Sequence, residues 1–99
     1  MEFTIKEDAS TITITVRGPM ELNSIKEFQN KIIELGAASP RNVILDIKEV
    51  EYIDSTGISV LITLNRQQKQ NGKSLTITNA SQRVANLLEL SSLSDLLQS

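Results

Sequence analysis

The chain has 99 residues, 39% of them hydrophobic, and a net charge of -2 from 10 basic and 12 acidic residues. That length holds one domain, residues 1–99, around a single core, and the dispersed, nearly balanced charge leaves no basic stripe to bind nucleic acid. Cysteine and histidine are absent, which excludes disulfide frameworks, thiol nucleophiles, imidazole metal sites and Ser-His-Asp chemistry.

The first residues carry Glu2, Lys6, Glu7 and Asp8 and lack the apolar core of a signal peptide. The longest apolar-leaning run, residues 57–64, is far below the roughly 20 needed to cross a bilayer. A cytoplasmic protein with no membrane partner is expected. Residues 3–6 and 11–16 alternate and read as the strands of a hairpin. Ile12, Ile14 and Val16 share one face, threonines the other, and Asp8-Ala9-Ser10 is the turn. Gly18-Pro19 ends the second strand, because proline cannot donate to a ladder.

Ser24-Ile25-Lys26-Glu27 has the spacing of a capping box and starts a helix with Ile25, Phe28, Ile32 and Leu35 as its buried stripe. Gly36 and Pro40 supply its stop. Val43-Ile44-Leu45-Asp46-Ile47 is nearly continuous in apolar residues and predicts a central strand covered on both faces. A second helix spans residues 55–70 and closes at Asn71-Gly72, and residues 74–78 supply a fourth strand. The third helix runs over about 81–90 on Val84, Leu87 and Leu88. Ser92-Leu93-Ser94-Asp95 offers a last capping box for a short terminal helix.

The order β-β-α-β-α-β-α-α defines an α/β fold. Its mixed sheet has about four strands, the hairpin followed by parallel strands, with helices packed against it. In such sheets the loops that leave strand ends converge and helix N-termini point amides outward. Here those loops are residues 18–23, 50–57 and 78–81.

The middle loop carries the chemistry. Asp54-Ser55-Thr56-Gly57 puts a carboxylate and two hydroxyls at the mouth of a helix whose following residues, 58–64, are mostly apolar. At about 100° per residue, Val60, Leu64, Leu61, Ile58 and Ile62 are expected on one broad buried face. Ser55, Ser59, Thr63 and Arg66 are expected on a narrow polar stripe opposite. Ser55 then sits at the reachable end of that stripe, Thr56 is turned away, and Gly57 leaves clearance for an approaching group. The plainer reading is that Asp54 or Ser55 only caps the helix and Gly57 only permits close packing. The two readings are compatible, since a phosphate at a helix N-terminus meets amides and a favourable macrodipole.

Nothing else in the chain suggests catalysis. Asp46 with Glu49, or Glu49 with Glu51, read as solvated loop charges rather than a hydrolytic pair. Gly72-Lys73-Ser74 imitates the end of a P-loop but has Gln67 where the earlier glycine belongs. Asn79-Ala80-Ser81 reads as turn chemistry, and Phe3, Phe28 and Tyr52 are too dispersed for a stacking platform. No enzyme, cofactor or metal is expected.

Asp54-Ser55-Thr56-Gly57 after a β-branched strand, with Gly18-Pro19-Met20-Glu21 before the first helix, resembles the STAS domain of bacterial anti-sigma-factor antagonists. The likeness covers essentially the whole chain in element order and length. It implies a non-enzymatic switch in transcription regulation, in which a partner that is both anti-sigma factor and serine kinase phosphorylates Ser55; Thr56 is the alternative acceptor that the residues themselves leave open, behind Ser55. The unphosphorylated form binds that partner and releases the sigma factor, and a metal-dependent serine phosphatase resets the phosphoprotein. Glu21, Asn23, Asp54, Ser55, Thr56, Gly57, Ser59 and Thr63 are the expected partner-binding residues. The family usually shows Gly-Glu-Leu-Asp where this chain has Gly18-Pro19-Met20-Glu21, which keeps an acid but lengthens it by a methylene and points to a change in partner affinity or identity. The alternative is a STAS structural or ligand-binding subunit of a transporter or stress-sensing complex, in which Ser55 is merely a cap.

Overall fold

An alternating strand needs partners for its backbone and cover for one face. Both are present in the computed structural model, which describes residues 1–22 and 24–97. β1 (Glu2–Glu7) and β2 (Thr11–Arg17) pair antiparallel, with Phe3 opposite Val16 and Ile5 opposite Ile14. Asp8 holds the turn between them, its Oδ1 accepting the amides of Ser10 and Thr11 at 2.8 Å each. β3 (Asn42–Glu49) and β4 (Leu75–Thr78) add in parallel to give the order β1-β2-β3-β4. The helices are α1 (Ile25–Ala38), α2 (Ser55–Gln70) and α3 (Gln82–Leu90). Among the described residues no helix is long and apolar enough to cross a membrane.

One face of the sheet makes the core. Ile12, Ile14 and Val16 of β2, Val43, Leu45 and Ile47 of β3, and Leu75 and Ile77 of β4 are buried against Phe28, Ile32, Leu61, Leu64, Val84 and Leu88 of the helices. Each such side chain contributes about 1.5–3 kcal/mol on leaving water. Phe3 closes the β1 side, edge-on to Phe28 with ring centroids 5.6 Å apart. The alternate residues Thr13, Thr15, Ile44, Asp46, Thr76 and Thr78 are only half-buried. The helices therefore cover one face, and the expectation that β3 is covered on both is corrected. Ile44 is a β-branched residue on the open face, which a run of apolar residues cannot distinguish from core.

Helix ends depart from expectation where side chains find other partners. Ser24 Oγ donates back to the carbonyls of Pro19 and Glu21, at 3.3 Å each, and among the described residues no side chain caps α1. The capping box there does not form. Gly36 does not stop α1 either; the helix runs to Ala38, since a helical glycine costs only about 1 kcal/mol. The terminal helix is a 3-10 turn, Ser94–Leu96, entered through Leu93 without a side-chain cap, and Ser92 takes a left-handed φ of 61° instead of capping it. Asp46 and Glu49 lie within β3 rather than in a loop. Asp46 Oδ1 accepts from the Lys48 amide and from Asn79 Nδ2, both at 3.1 Å.

Candidate functional site

Because β2, β3 and β4 are parallel, the loops leaving their C-terminal ends gather at one edge of the sheet. Gly18, with φ of 87°, turns the chain out of β2, and its amide donates to the Glu49 carbonyl at 3.0 Å. Beyond it the first two loops are joined backbone to backbone. The Met20 amide donates to the Tyr52 carbonyl at 3.0 Å and the Asp54 amide donates to the Met20 carbonyl at 3.1 Å, so Met20 and Ile53 form an isolated parallel bridge.

Asp54 adds a side-chain link. Its Oδ1 accepts the Gly57 amide at 2.9 Å and its Oδ2 accepts the Leu22 amide at 3.0 Å. The Gly57 bond, followed by those of Leu22 and Thr56, holds the carboxyl below the usual aspartate range against the opposing effect of burial. Of the two capping candidates, Asp54 is the N-cap of α2. Ser55 is the first helical residue and is exposed, and among the described residues no group hydrogen-bonds its hydroxyl.

Thr56 is half-buried and Gly57 is buried. The clearance at Gly57 serves the interior rather than an approaching group. A Cβ there would come within 2.5 Å of the Met20 carbonyl oxygen and 2.7 Å of Ile53 Cγ2, so glycine is what lets α2 close on the joined loops. Glu21 is half-buried, and its carbonyl accepts the amides of Ser24 and Ile25 at 3.0 Å each. Asn23 lies outside the described residues.

The exposed line of α2 runs from Ser55 through Ser59, Ile62 and Arg66 to Lys69. Ile62, 37% exposed, falls within about 20° of Ser55 around a helix of 3.6 residues per turn. It is corrected from the buried face to the solvent line. Thr63 moves the other way: it is half-buried and lines a groove toward α1 with Gln29 and Ile33.

Leu22 and Arg83 at this edge are not singled out by the sequence, and Tyr52, too dispersed from the other aromatics for a stacking platform, takes a rim place beside them. Leu22 is 67% exposed and Tyr52 is 40% exposed, and the Arg83 guanidinium lies 5.7 Å from the centroid of the Tyr52 ring. That contact joins α3 to the middle loop. A leucine in a loop that no period claims was the available signal for Leu22. Nothing local announces that Arg83 meets Tyr52.

The sequence matches the STAS domain model over residues 2–98. The anti-sigma-B factor antagonist of Bacillus subtilis (strain 168) is 27% identical over 93 residues, which span 94% of this chain and 84% of that protein. Among solved structures, the anti-sigma factor antagonist SpoIIAA in its unphosphorylated form aligns with a TM-score of 0.87 at 16% identity, over 98% of this chain and 86% of the other. The Bacillus cell fate determinant SpoIIAA in the phosphorylated form aligns with a TM-score of 0.80 at 15% identity, over 98% and 89%. At those identities the structural likeness is one of fold.

Proposed function

This chain belongs to the STAS domain family, and from that premise we propose that it is a cytoplasmic anti-sigma-factor antagonist whose hold on its partner is set by phosphorylation of Ser55. Unphosphorylated, it binds an anti-sigma factor that is also a serine kinase and so frees the sigma factor. Phosphorylation ends that complex, and a metal-dependent serine phosphatase restores the binding form. The relative in Bacillus subtilis, an anti-sigma-B factor antagonist, supports the assignment.

One observation carries the reading. Ser55 presents an exposed hydroxyl at the head of a helix whose cap is already supplied by Asp54. A serine needed to hold the helix would be engaged with its amides; this one is available as an acceptor. Its Oγ attacks the terminal phosphoryl group of a nucleotide held by the kinase, the new O–P bond forming as the bond to the diphosphate leaving group breaks. The hydroxyl proton passes to the kinase.

The phosphate adds about -1.5 to -2 at pH 7, taking the chain from -2 to nearly -4. It joins the carboxylate of Asp54, so a partner covering this edge must desolvate two neighbouring anions. The helix itself accepts the added charge, because its N-terminus favours negative groups. Fold retention with loss of the interface is the expected result. Leu22 and Tyr52, exposed apolar groups beside the acidic centre, supply the anchors the partner grips, with Glu21, Thr56 and Ser59 around them.

Ser55→Ala and Ser55→Asp, titrated against the anti-sigma factor kinase of the same organism, test the reading. The alanine variant should bind and stay unmodified after incubation with kinase and ATP, whereas the aspartate variant should not bind. Thr56→Ala should still take up one phosphate, on Ser55, as wild type does. Equal binding by both Ser55 variants, or a phosphate on Ser55→Ala, overturns the proposal.

A further inference from the structure

The two edges of the sheet are finished differently. At β4, Leu97 bridges Ile77 and the 3-10 turn packs against the strand, so the chain covers that edge itself. Among the described residues β1 has no such cover. It is six residues long, free of proline, and in unbroken register with β2 from Glu2 to Glu7. An edge without bulge or proline is a template for another strand.

The phase of that edge follows from the turn. The Asp8 amide donates to the Thr11 carbonyl at 3.0 Å, and hydrogen-bonded pairs alternate along an antiparallel ladder. Glu2, Thr4 and Lys6 therefore bond to β2, while Phe3, Ile5 and Glu7 direct their N–H and C=O groups outward. The side chains of Phe3 and Ile5 lie half-buried on the helix-covered face, and Glu2, Thr4 and Lys6 are exposed on the other.

We propose that β1 pairs with β1 of a second copy, antiparallel about a two-fold axis through Thr4, so that the two sheets become one. A two-fold axis perpendicular to the sheet keeps like faces together, so opposed residues must both be even-numbered or both odd-numbered. Centred on Thr4, Glu2 faces Lys6 of the second copy twice and Phe3 faces Ile5 twice. Centred on Ile5, Phe3 would face Glu7; centred on Phe3, Glu2 would face Thr4. The Thr4 register alone sets unlike charges opposite each other, which stabilises cross-strand pairs.

Charge availability points the same way. Lys6 has no ion pair among the described residues, and Glu2 reaches Arg17 only loosely, at 3.7 Å. Glu7 is committed to Arg41 at 2.8 Å. The residues that the Thr4 register uses are the available ones. The inference owes nothing to the reading of Ser55.

Sedimentation velocity over a concentration series tests it. Wild type should show a monomer–dimer equilibrium. Lys6→Glu and Glu2→Lys should each raise the dissociation constant by about tenfold, because two unlike contacts become like ones. The double variant Glu2→Lys/Lys6→Glu should return it to the wild-type value. Thr4→Cys, in a chain with no cysteine of its own, should give a covalent dimer on mild oxidation. The central non-hydrogen-bonded pair brings Cα atoms about 4.5 Å apart, within disulfide range. Far-UV circular dichroism checks that each variant keeps its fold. A monomer at every concentration, a dimer indifferent to both single reversals, or failure of the double variant to recover overturns the proposal.

Discussion

The Leu22 amide donates to Asp54 Oδ2 across 3.0 Å, so a side chain at the mouth of α2 holds the loop that leaves β2. The other oxygen of that carboxylate takes the Gly57 amide at 2.9 Å. One ionised group thus fixes cap and loop together. Among the described residues nothing engages the Ser55 hydroxyl, because Asp54 does the capping.

Acid should weaken the fold through this group. The Asp54 pKa lies below its ordinary 3.8, chiefly because of the Gly57 amide. A depressed folded-state value gives stability that is full above the unfolded pKa and is lost as pH falls through the folded one. Asp8 acts in the same sense, held down first by the Ser10 amide and then by that of Thr11. The urea midpoint should therefore be nearly flat from about pH 7 to 5 and fall below about pH 4. Asp54→Asn and Asp8→Asn should each remove part of that fall, and the pair should remove more. An acid limb unchanged in Asp54→Asn would show that its charge does not support the cap.

Two helical glycines should answer alanine with opposite signs. At Gly36 nothing among the described residues lies within 4 Å of a new Cβ, so the gain in helix propensity, about 1 kcal/mol, should appear as a higher urea midpoint. At Gly57 the new Cβ would sit 2.5 Å from the Met20 carbonyl oxygen, a backbone atom that cannot rotate away. Overpacking of about 1–3 kcal/mol should outweigh the propensity gain and lower the midpoint. A stabilised Gly57→Ala would mean that the joined loops yield easily.

The hairpin, the parallel strands and the bounds of α2 are legible in the sequence because each rests on a local period. What is illegible depends on distant partners. Ile44 has the composition of a buried strand residue but is only half-buried, on the face away from the described helices. Ser24 carries capping chemistry, but its hydroxyl turns back to Pro19 and Glu21. Ile62 is a different case, since its place near Ser55 follows from helix geometry and an apolar label pulls the reading inward. At the site the motif is visible, yet which of Asp54 and Ser55 caps depends on the Leu22 amide reaching Asp54 from another loop.

At the far end of α2, Gln68 should prove a stability residue. It is 5% exposed, and its Nε2 donates to the carbonyls of Arg41 at 2.8 Å and Ser74 at 2.7 Å. Gln68→Leu keeps the volume but removes the donor, at a cost of about 1–3 kcal/mol in urea unfolding. Gln68→Glu should cost more at neutral pH, where a carboxylate faces two carbonyls. It should recover in acid, where a protonated carboxyl can again donate to one of them. No difference between the two variants would mean that water reaches this end of the helix.

Under the proposed function, Leu22 and Tyr52 should separate binding from folding. Leu22 is 67% exposed, and its backbone amide, not its side chain, meets Asp54. Leu22→Ala should therefore change folding stability by less than about 0.5 kcal/mol. Burying that side chain under an anti-sigma factor would make it an anchor, and its truncation should weaken binding by more than about 1 kcal/mol, roughly fivefold or greater. Tyr52→Ala also loses the Arg83 contact, which at an exposed site adds about 0.5–1 kcal/mol to stability, so both readouts should move and binding should move more. Tyr52→Phe keeps a ring for Arg83 and for the partner and should stay near wild type. Leu90, on α3 and 84% exposed, serves as control: Leu90→Ala should leave binding unchanged. If Leu22→Ala bound like wild type, the first loop would lie outside the contact; if it lost stability and binding equally, the loop would have moved and taken Asp54 with it.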